Sequence, residues 1–446
     1  MMDRRMFLKG SMALGALASL PRFSMAAPAV KNGGRIRVAC IGCGGRGTGA
    51  LKDAINADKN IQIVAIGDLF EDRLRNCDGN VKKFVAELRS KDSRIPEDIY
   101  AVKPENMFTG WDNCQKVLAT DCDVVILAAP PCFRAGHLEL ALNAGKHVFA
   151  EKPLFVDATQ ARRVHSLAAL ADSKGLSVVT GFQRRYDKGY QEAVKRIHDG
   201  EIGDIVAAQC YWMEGNYIGG ANYGNDFAVD TQGYQIRNWV AWSWPSGDHI
   251  VEQHCHNLDV VNWCFNGQKP ESVFGMGGRG VAQEGKNARP YPQFGDRYSN
   301  FTVDYQYAGD VHLTSMCRQE PGTLGNVGER IVGTKGIMVF YGAPRILANG
   351  KEVWKYQGDR PSPYVREHEF MFKSVRGDVA RINQILESAS SNLIALAGRE
   401  SAYSGKQFKY DWVLAKSQQN IVPDVWDLQA KMPVRPIPVA GVYDLI

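Results

Sequence analysis

Three glycines in the run Gly42, Cys43, Gly44, Gly45, Arg46, Gly47 stand at the spacing G-x-G-x-x-G, and Asp68 follows 21 residues after the last of them. Residues of these types at this spacing hold a dinucleotide. The first glycine permits a tight turn, the second lets a pyrophosphate approach the backbone, and the third lets helix and strand pack closely. The pyrophosphate then rests on the positive end of a helix dipole and its free N–H groups, so Gly45 and Arg46 join the three glycines as candidate contacts. Asp68 would accept hydrogen bonds from both ribose hydroxyls and repel a 2′-phosphate, which favours NAD over NADP; Arg46 would partly offset that repulsion. The alternative is a glycine turn that binds nothing.

The glycine spacing is a weak signal until its setting is read. Ile36 to Ile41 form a short β-type run, the turn follows at once, a helix-compatible stretch reaches Ala57, and a second apolar run, Ile61 to Ile66, ends at Gly67 and Asp68. Further runs at Val124 to Ala128 and His147 to Phe149 flank a helical stretch from Ala135 to Ala144, and Ser177 to Thr180 follows another. Strands alternating with helices predict a doubly wound parallel α/β sheet, a Rossmann domain over residues 35–182. After about residue 183 longer polar-aromatic strands appear, at Ile205 to Met213, Tyr298 to Tyr307 and Asp310 to Met316. They predict a second, α+β domain with a large, mostly antiparallel open sheet over residues 183–421. The proline-rich segment 422–446 is expected to pack on the body.

The chain has 446 residues, too many for one hydrophobic core. It opens with Arg4, Arg5, Met6, Phe7, Leu8 and Lys9, then an apolar stretch from Met12 to Leu20 and small residues near Ala26, Ala27 and Ala29. That pattern is a twin-arginine export signal over residues 1–29, with the translocase as a transient partner and the periplasm as destination. The apolar run is too short to cross roughly 30 Å of hydrocarbon, and no later run spans a membrane either. Of the formal charge of +5, the leader accounts for about three. The remainder is too small to argue for nucleic acid or an anionic surface. The ten cysteines, several inside apolar runs at irregular spacing, read as buried free thiols rather than disulfides or a zinc site.

Glu151, Lys152 and Pro153, the Ala-Pro at 129–130 and the Ala-Gly-Lys-His-Val run at 144–148 together resemble the Gfo/Idh/MocA family of dehydrogenases over roughly residues 35 to 340. The resemblance implies that Pro130, Glu151, Lys152 and His137 lie at the cofactor, that Lys152 meets nicotinamide and substrate, and that Pro153 follows a cis bond; the alternative for His137 is a purely structural role. It also implies that Gln183 and Arg184, in a strand end and linker, face the cleft. For Arg185 an ion pair is expected. The family's second motif, G-G-x-x-x-D-x-x-x-H-x-x-D, is matched from Gly247 to Asp259 with Glu252 in place of an aspartate. Arg134 stands where a histidine is common. A homo-oligomer formed through the open sheet is a further implication.

Glu252, His256 and Asp259 fall at i, i+4 and i+7, on one face of a helix. Taking hydride from a secondary alcohol requires a base for the hydroxyl proton and a cation for the developing alkoxide. His256 is the candidate base, Lys152 the cation and Glu252 the group that orients the histidine or binds a neighbouring hydroxyl. The His254-x-His256 pair beside Glu252 could instead ligate a metal, but two residues apart on a helix point about 200° apart, so no metal is expected. Tyr211, Trp212, Trp239, His254 and Asp259 are candidate sugar contacts beside Lys152, Arg184 and His256, with Trp242 and Trp244 nearby; aromatic faces stack on sugar rings but also fill cores. The leading expectation is an exported oxidoreductase acting on a sugar or glycoside hydroxyl, with C3 as a candidate position. Its NAD would be bound tightly and recycled in place, since no free nicotinamide pool is expected outside the cytoplasm. The alternatives are an NAD-cycling glycosidase, whose known group lacks the Glu-Lys-Pro motif, and a sugar-binding protein without catalysis.

Overall fold

The computed structural model describes residues 34–216, 226–285 and 288–446, and the expected export signal lies outside them. Six parallel strands, β1 (Ile36–Ile41), β2 (Ile61–Asp68), β3 (Met107–Thr109), β4 (Val124–Leu127), β5 (His147–Ala150) and β6 (Val178–Thr180), form a sheet ordered β3-β2-β1-β4-β5-β6. Helices α1 (Gly45–Ala57), α2 (Glu71–Lys91), α3 (Asn113–Leu118), α4 (Pro131–Asn143) and α5 (Ala158–Ser173) connect them. Every residue of β4 and β5 is buried, as expected of strands covered by helices on both faces. The strand order reverses at β1, with β2 on one side and β4 on the other. The crevice beyond their carboxyl ends is where such sheets bind ligands.

Next come α6 (Lys188–His198), β7 (Ile205–Glu214) and four helices, α7 (Gln232–Arg237), α8 (Ser243–Ser246), α9 (His249–Glu252) and α10 (Cys255–Cys264). The strands β8 (Ser272–Gly278), β9 (Asn300–Tyr307), β10 (Val311–Gln319), β11 (Asn326–Gly333), β12 (Ile337–Val339), β13 (Arg345–Ala348) and β14 (Lys351–Lys355) follow. The chain ends with α11 (Pro363–Arg376), α12 (Ile385–Ser404), β15 (Phe408–Lys409), α13 (Trp412–Ala415) and an irregular tail. A nine-stranded sheet ordered β14-β13-β12-β11-β7-β10-β9-β8-β15 results. Its pairs are antiparallel except β7 with β10. β9 alternates half-buried and buried residues along its length, the pattern of a sheet with one packed face and one open face. Helices α10 and α12 cover the packed face, and α12 also reaches α5. Helix α11 returns to the first lobe, against α1, β5 and β6. Among the described residues no helix is long and apolar enough to cross a membrane. All ten cysteines are buried thiols.

Candidate active site

The glycine turn has the shape its spacing predicts. Gly42 takes φ +95°, and a Cβ there would sit 2.2 Å from the Ala129 amide nitrogen, while one on Gly47 would sit 1.8 Å from the Gly42 carbonyl oxygen. At Gly44 and Gly45 a Cβ would meet nothing within 4 Å. Two glycines therefore let the backbone pack on itself, and two leave open space at the N-terminus of α1. No side chain caps that terminus and no acid stands in its first turn. An uncapped helix start with an open cradle suits an anionic pyrophosphate.

Asp68 closes β2 beside this cradle. Its Oδ2 accepts from the Cys43 amide (2.6 Å) and its Oδ1 from the Phe70 amide (2.8 Å), so the carboxylate is aimed by backbone and keeps lone pairs for ribose hydroxyls. Burial raises its pKa, against those two hydrogen bonds and the charge of Arg73. The turn, Asp68, Pro130, His137 and Trp239 line one cavity of about 690 Å³, within the range of small-molecule sites. Arg46 lines the same cavity, but its charge is not free to offset that of Asp68: the guanidinium meets Glu151 (2.7 Å) and Asp53 (2.9 Å) and lies over the Tyr364 ring.

Beyond the groove, Lys152 follows β5 and precedes a cis Lys152–Pro153 bond. Its ammonium crosses to the second lobe, donates to the Glu252 backbone carbonyl and lies 3.6 Å from the Glu252 carboxylate. Burial pulls the Lys152 pKa down, but the charge of Glu252, with smaller contributions from Cys255 and Glu151, outweighs it, so the net shift is upward and the side chain stays charged. His256 is enclosed one turn further on, stacked on Trp212 with ring centroids 5.8 Å apart and edge-on to Phe182. Its Nδ1 is buried without a hydrogen-bond partner. Burial, then the charges of Lys152 and Arg184, hold the imidazole pKa well below its ordinary value. The site thus sets a fixed cation against a neutral histidine. The residues 252, 256 and 259 do not share one unbroken helix: α9 ends at Glu252 and α10 begins at Cys255, across a turn at Gln253 and His254.

Arg184 sits over Trp212, and its charge meets Glu329, which is fully buried and also takes a hydrogen bond from Asn257 (2.6 Å). Burial pushes the Glu329 carboxyl up to about 7, with Arg184 and Asn257 opposing. Gln183 donates to the Tyr364 hydroxyl (3.1 Å). Glu329 and Tyr364 were missed from sequence because each arrives from more than 140 residues away, on β11 and α11, with no local motif.

Four candidate sugar contacts, Trp239, Tyr211, His254 and Asp259, fall elsewhere, and Trp239 lines the dinucleotide cavity. Tyr211 adjoins Trp212 on a strand, so the two side chains take opposite faces. Trp212 reaches His256, while Tyr211 stacks on Tyr341 across the other face. His254 is fully buried, with Nε2 2.8 Å from the Ser315 hydroxyl and 3.6 Å from the Cys210 sulfur. Asp259 is also fully buried, in a two-pronged ion pair with Arg185 (2.8 Å on each prong) and a hydrogen bond from Ser391. The expected ion pair of Arg185 therefore consumes the aspartate assigned to substrate. Trp242 and Trp244 are core residues, 1% exposed. Arg134 is buried and donates to the Leu127 and Ala129 carbonyls at the end of β4, so it does not replace a substrate-facing histidine. Among the described residues no group of three His, Cys, Asp or Glu side chains is placed to hold a metal ion.

A doubly wound sheet, a glycine cradle at its switch point and a lysine reaching the second lobe define a two-lobed oxidoreductase architecture. Residues 36–182 match the model of the oxidoreductase family with an NAD-binding Rossmann fold, and residues 190–339 match the GFO/IDH/MocA C-terminal domain. The chain belongs to the Gfo/Idh/MocA family. It is 26% identical over 208 residues to inositol 2-dehydrogenase of Klebsiella pneumoniae, an alignment covering 46% of this chain and 53% of that protein. It is 30% identical over 175 residues to inositol 2-dehydrogenase 3 of Saccharopolyspora erythraea, covering 39% and 44%. The chain thus spans about half the length of the curated relatives it matches. Its fold is similar to that of the aldose-aldose oxidoreductase from Caulobacter crescentus complexed with glycerol, with TM-score 0.63, 14% identity and coverage of 84% and 99%. It is similar also to scyllo-inositol dehydrogenase from Lactobacillus casei with bound NAD(H) and scyllo-inositol, with TM-score 0.60, 19% identity and the same coverage.

Proposed function

We propose that the protein is an NAD(H)-dependent oxidoreductase acting on a ring hydroxyl of a sugar, glycoside or cyclitol, exported by the twin-arginine route with its cofactor held inside. The observation that carries this reading is the pairing of a charged Lys152 with a neutral His256 between the two lobes, in a chain whose first lobe also carries an open glycine cradle. Gly44, Gly45 and the start of α1 would hold the pyrophosphate and Asp68 the ribose, and the bound nicotinamide supplies the hydride acceptor. Lys152 donates a hydrogen bond to the substrate oxygen and balances the alkoxide charge. The His256 imidazole, held neutral by its enclosure, accepts the hydroxyl proton. Trp212 offers a ring face to a sugar, stacked as it is on the base.

The names of the relatives, inositol 2-dehydrogenase and scyllo-inositol dehydrogenase, support a polyhydroxylated ring as substrate. A retained cofactor requires a second substrate to reoxidise it, and the neighbour named aldose-aldose oxidoreductase supports that kind of paired reaction. The experiment is a single-turnover panel: NAD-loaded protein is mixed with inositols, free aldoses and glycosides while absorbance of reduced nicotinamide is followed. A stoichiometric rise with one class identifies it. No rise with any class, and no oxidation of bound NADH by any keto-sugar, contradicts the proposal.

A further inference from the structure

The tail after residue 421 lies outside both family-matched segments, yet it forms a wall of the dinucleotide groove. It is stitched across the second lobe by backbone and side-chain bonds. Gln232 donates to the Val425 carbonyl (2.8 Å) and accepts from the Asp427 amide (3.2 Å). The Gly233 amide donates to the Leu428 carbonyl (2.9 Å), and Lys431 pairs with Asp230 (2.6 Å). This clip places the Trp426 ring 4.8 Å from Phe133 and 5.8 Å from Trp111, and Phe133 in turn stacks on His137. All four rings line the cavity and stay partly exposed although they touch one another.

The position of this aromatic box fixes what it can hold. Phe133 and His137 lie on α4 and Trp111 just past β3, and all of them line the cavity that Asp68 lines and Lys152 does not, so the box belongs to the ribose end of the groove rather than to the lysine end. The group next to that ribose is a flat purine. Across the groove, Arg237 of the second lobe pairs with Asp72 (2.7 Å) and lies 3.9 Å from the Phe70 ring centroid, tying the same lobe down on the other rim. A base in this box is met by ring faces, the sequence-independent way proteins hold bases.

We infer that Trp426 is an adenine-binding residue supplied by the C-terminal tail, and that the clipped tail with Arg237 closes the groove over the adenosine half of the cofactor. This rests on the reading that the groove binds a dinucleotide. The cofactor leaves only when the tail unclips, so retention is built into a segment the family models do not include.

The test uses the full mature chain loaded with NADH and chased with excess NAD, following loss of bound-NADH fluorescence. Trp426→Ala is expected to speed release about tenfold, and Trp426→Phe, which restores a ring face, to recover most of the wild-type rate. Gln232→Ala leaves the aromatic box intact and loosens only the clip, so it also speeds release if the tail is the gate. Release within about twofold of wild type in both alanine variants overturns the inference, since loss of one stacking face alone costs more than that. A wild-type chain that binds no NADH at any concentration contradicts the dinucleotide reading itself, a result recognisable before any variant is made.

Discussion

Lys152 and Glu252, 100 residues apart in sequence, meet across the two lobes, with the lysine ammonium donating to the glutamate backbone carbonyl and lying 3.6 Å from its carboxylate. The backbone contact orients the lysine and the carboxylate keeps it charged. Lys152→Ala should lower kcat about 10²- to 10³-fold, the scale for loss of one preorganised donor at a developing oxyanion, while NADH binding persists. Glu252→Gln should keep the backbone contact and lower the lysine pKa, weakening activity less. Steady-state kinetics beside a fluorescence titration of NADH separates the two effects.

The pH profile tests His256. Its pKa is depressed by burial and by the Lys152 and Arg184 charges, so the neutral, proton-accepting form persists as pH falls through the ordinary histidine range near 6.5. The acid limb of kcat/KM for alcohol oxidation should therefore lie below that range, and a cationic nicotinamide nearby moves it the same way. A limb at or above pH 6.5 would show that another group is the base. Arg184→Met removes one of the cations and should move the limb upward.

Two glycines in one motif should fail differently. Gly44→Ala adds a Cβ into open space, so the fold and melting temperature are preserved while NADH affinity falls as the pyrophosphate is pushed off the backbone. Gly47→Ala drives a Cβ to 1.8 Å from the Gly42 carbonyl, so it should lower thermal stability before any ligand is added. Calorimetry and NADH titration on both variants check the contrast.

With Arg46 committed to Glu151 and Asp53, Asp68 remains the acid facing the ribose. Asp68→Asn keeps an acceptor for one backbone N–H and removes the negative charge. The preference for NADH over NADPH should fall about tenfold, on the order of one lost charge repulsion at a partly buried site. The ratio of the two dissociation constants measures it.

Asp259 separates stability from substrate binding. Removing the Asp259 charge leaves the buried Arg185 with only the half-exposed Glu387 as an ionic partner, so Asp259→Asn should cost up to about 3 kcal/mol of stability, the lower end for a broken buried pair. At a temperature where the variant is folded, its KM should stay near wild type. A large rise in KM without loss of stability would return this residue to the substrate site.

The first lobe was legible because its signals are local. Gly42 to Gly47 and Asp68 sit within 27 residues and each has a backbone reason to be there. The second lobe was legible only as a sheet. Tyr211 was assigned with Trp212 although a strand sends neighbours to opposite faces, an error that period-2 alternation alone would have removed. His254 and Asp259 look reactive in a linear motif, and only tertiary packing reveals that Ser315 and Arg185 have claimed them. Glu329, Tyr364 and Trp426 come from β11, α11 and the tail, and no spacing rule connects such distant positions to a groove.

The most direct test of the central claim is to purify the mature chain without added cofactor, denature it, and quantify released nicotinamide nucleotide by mass spectrometry. The proposed function predicts close to one nicotinamide nucleotide per chain, mostly NAD(H). No released nucleotide, together with no NAD binding at millimolar concentration, would contradict it and leave the glycine cradle as packing alone.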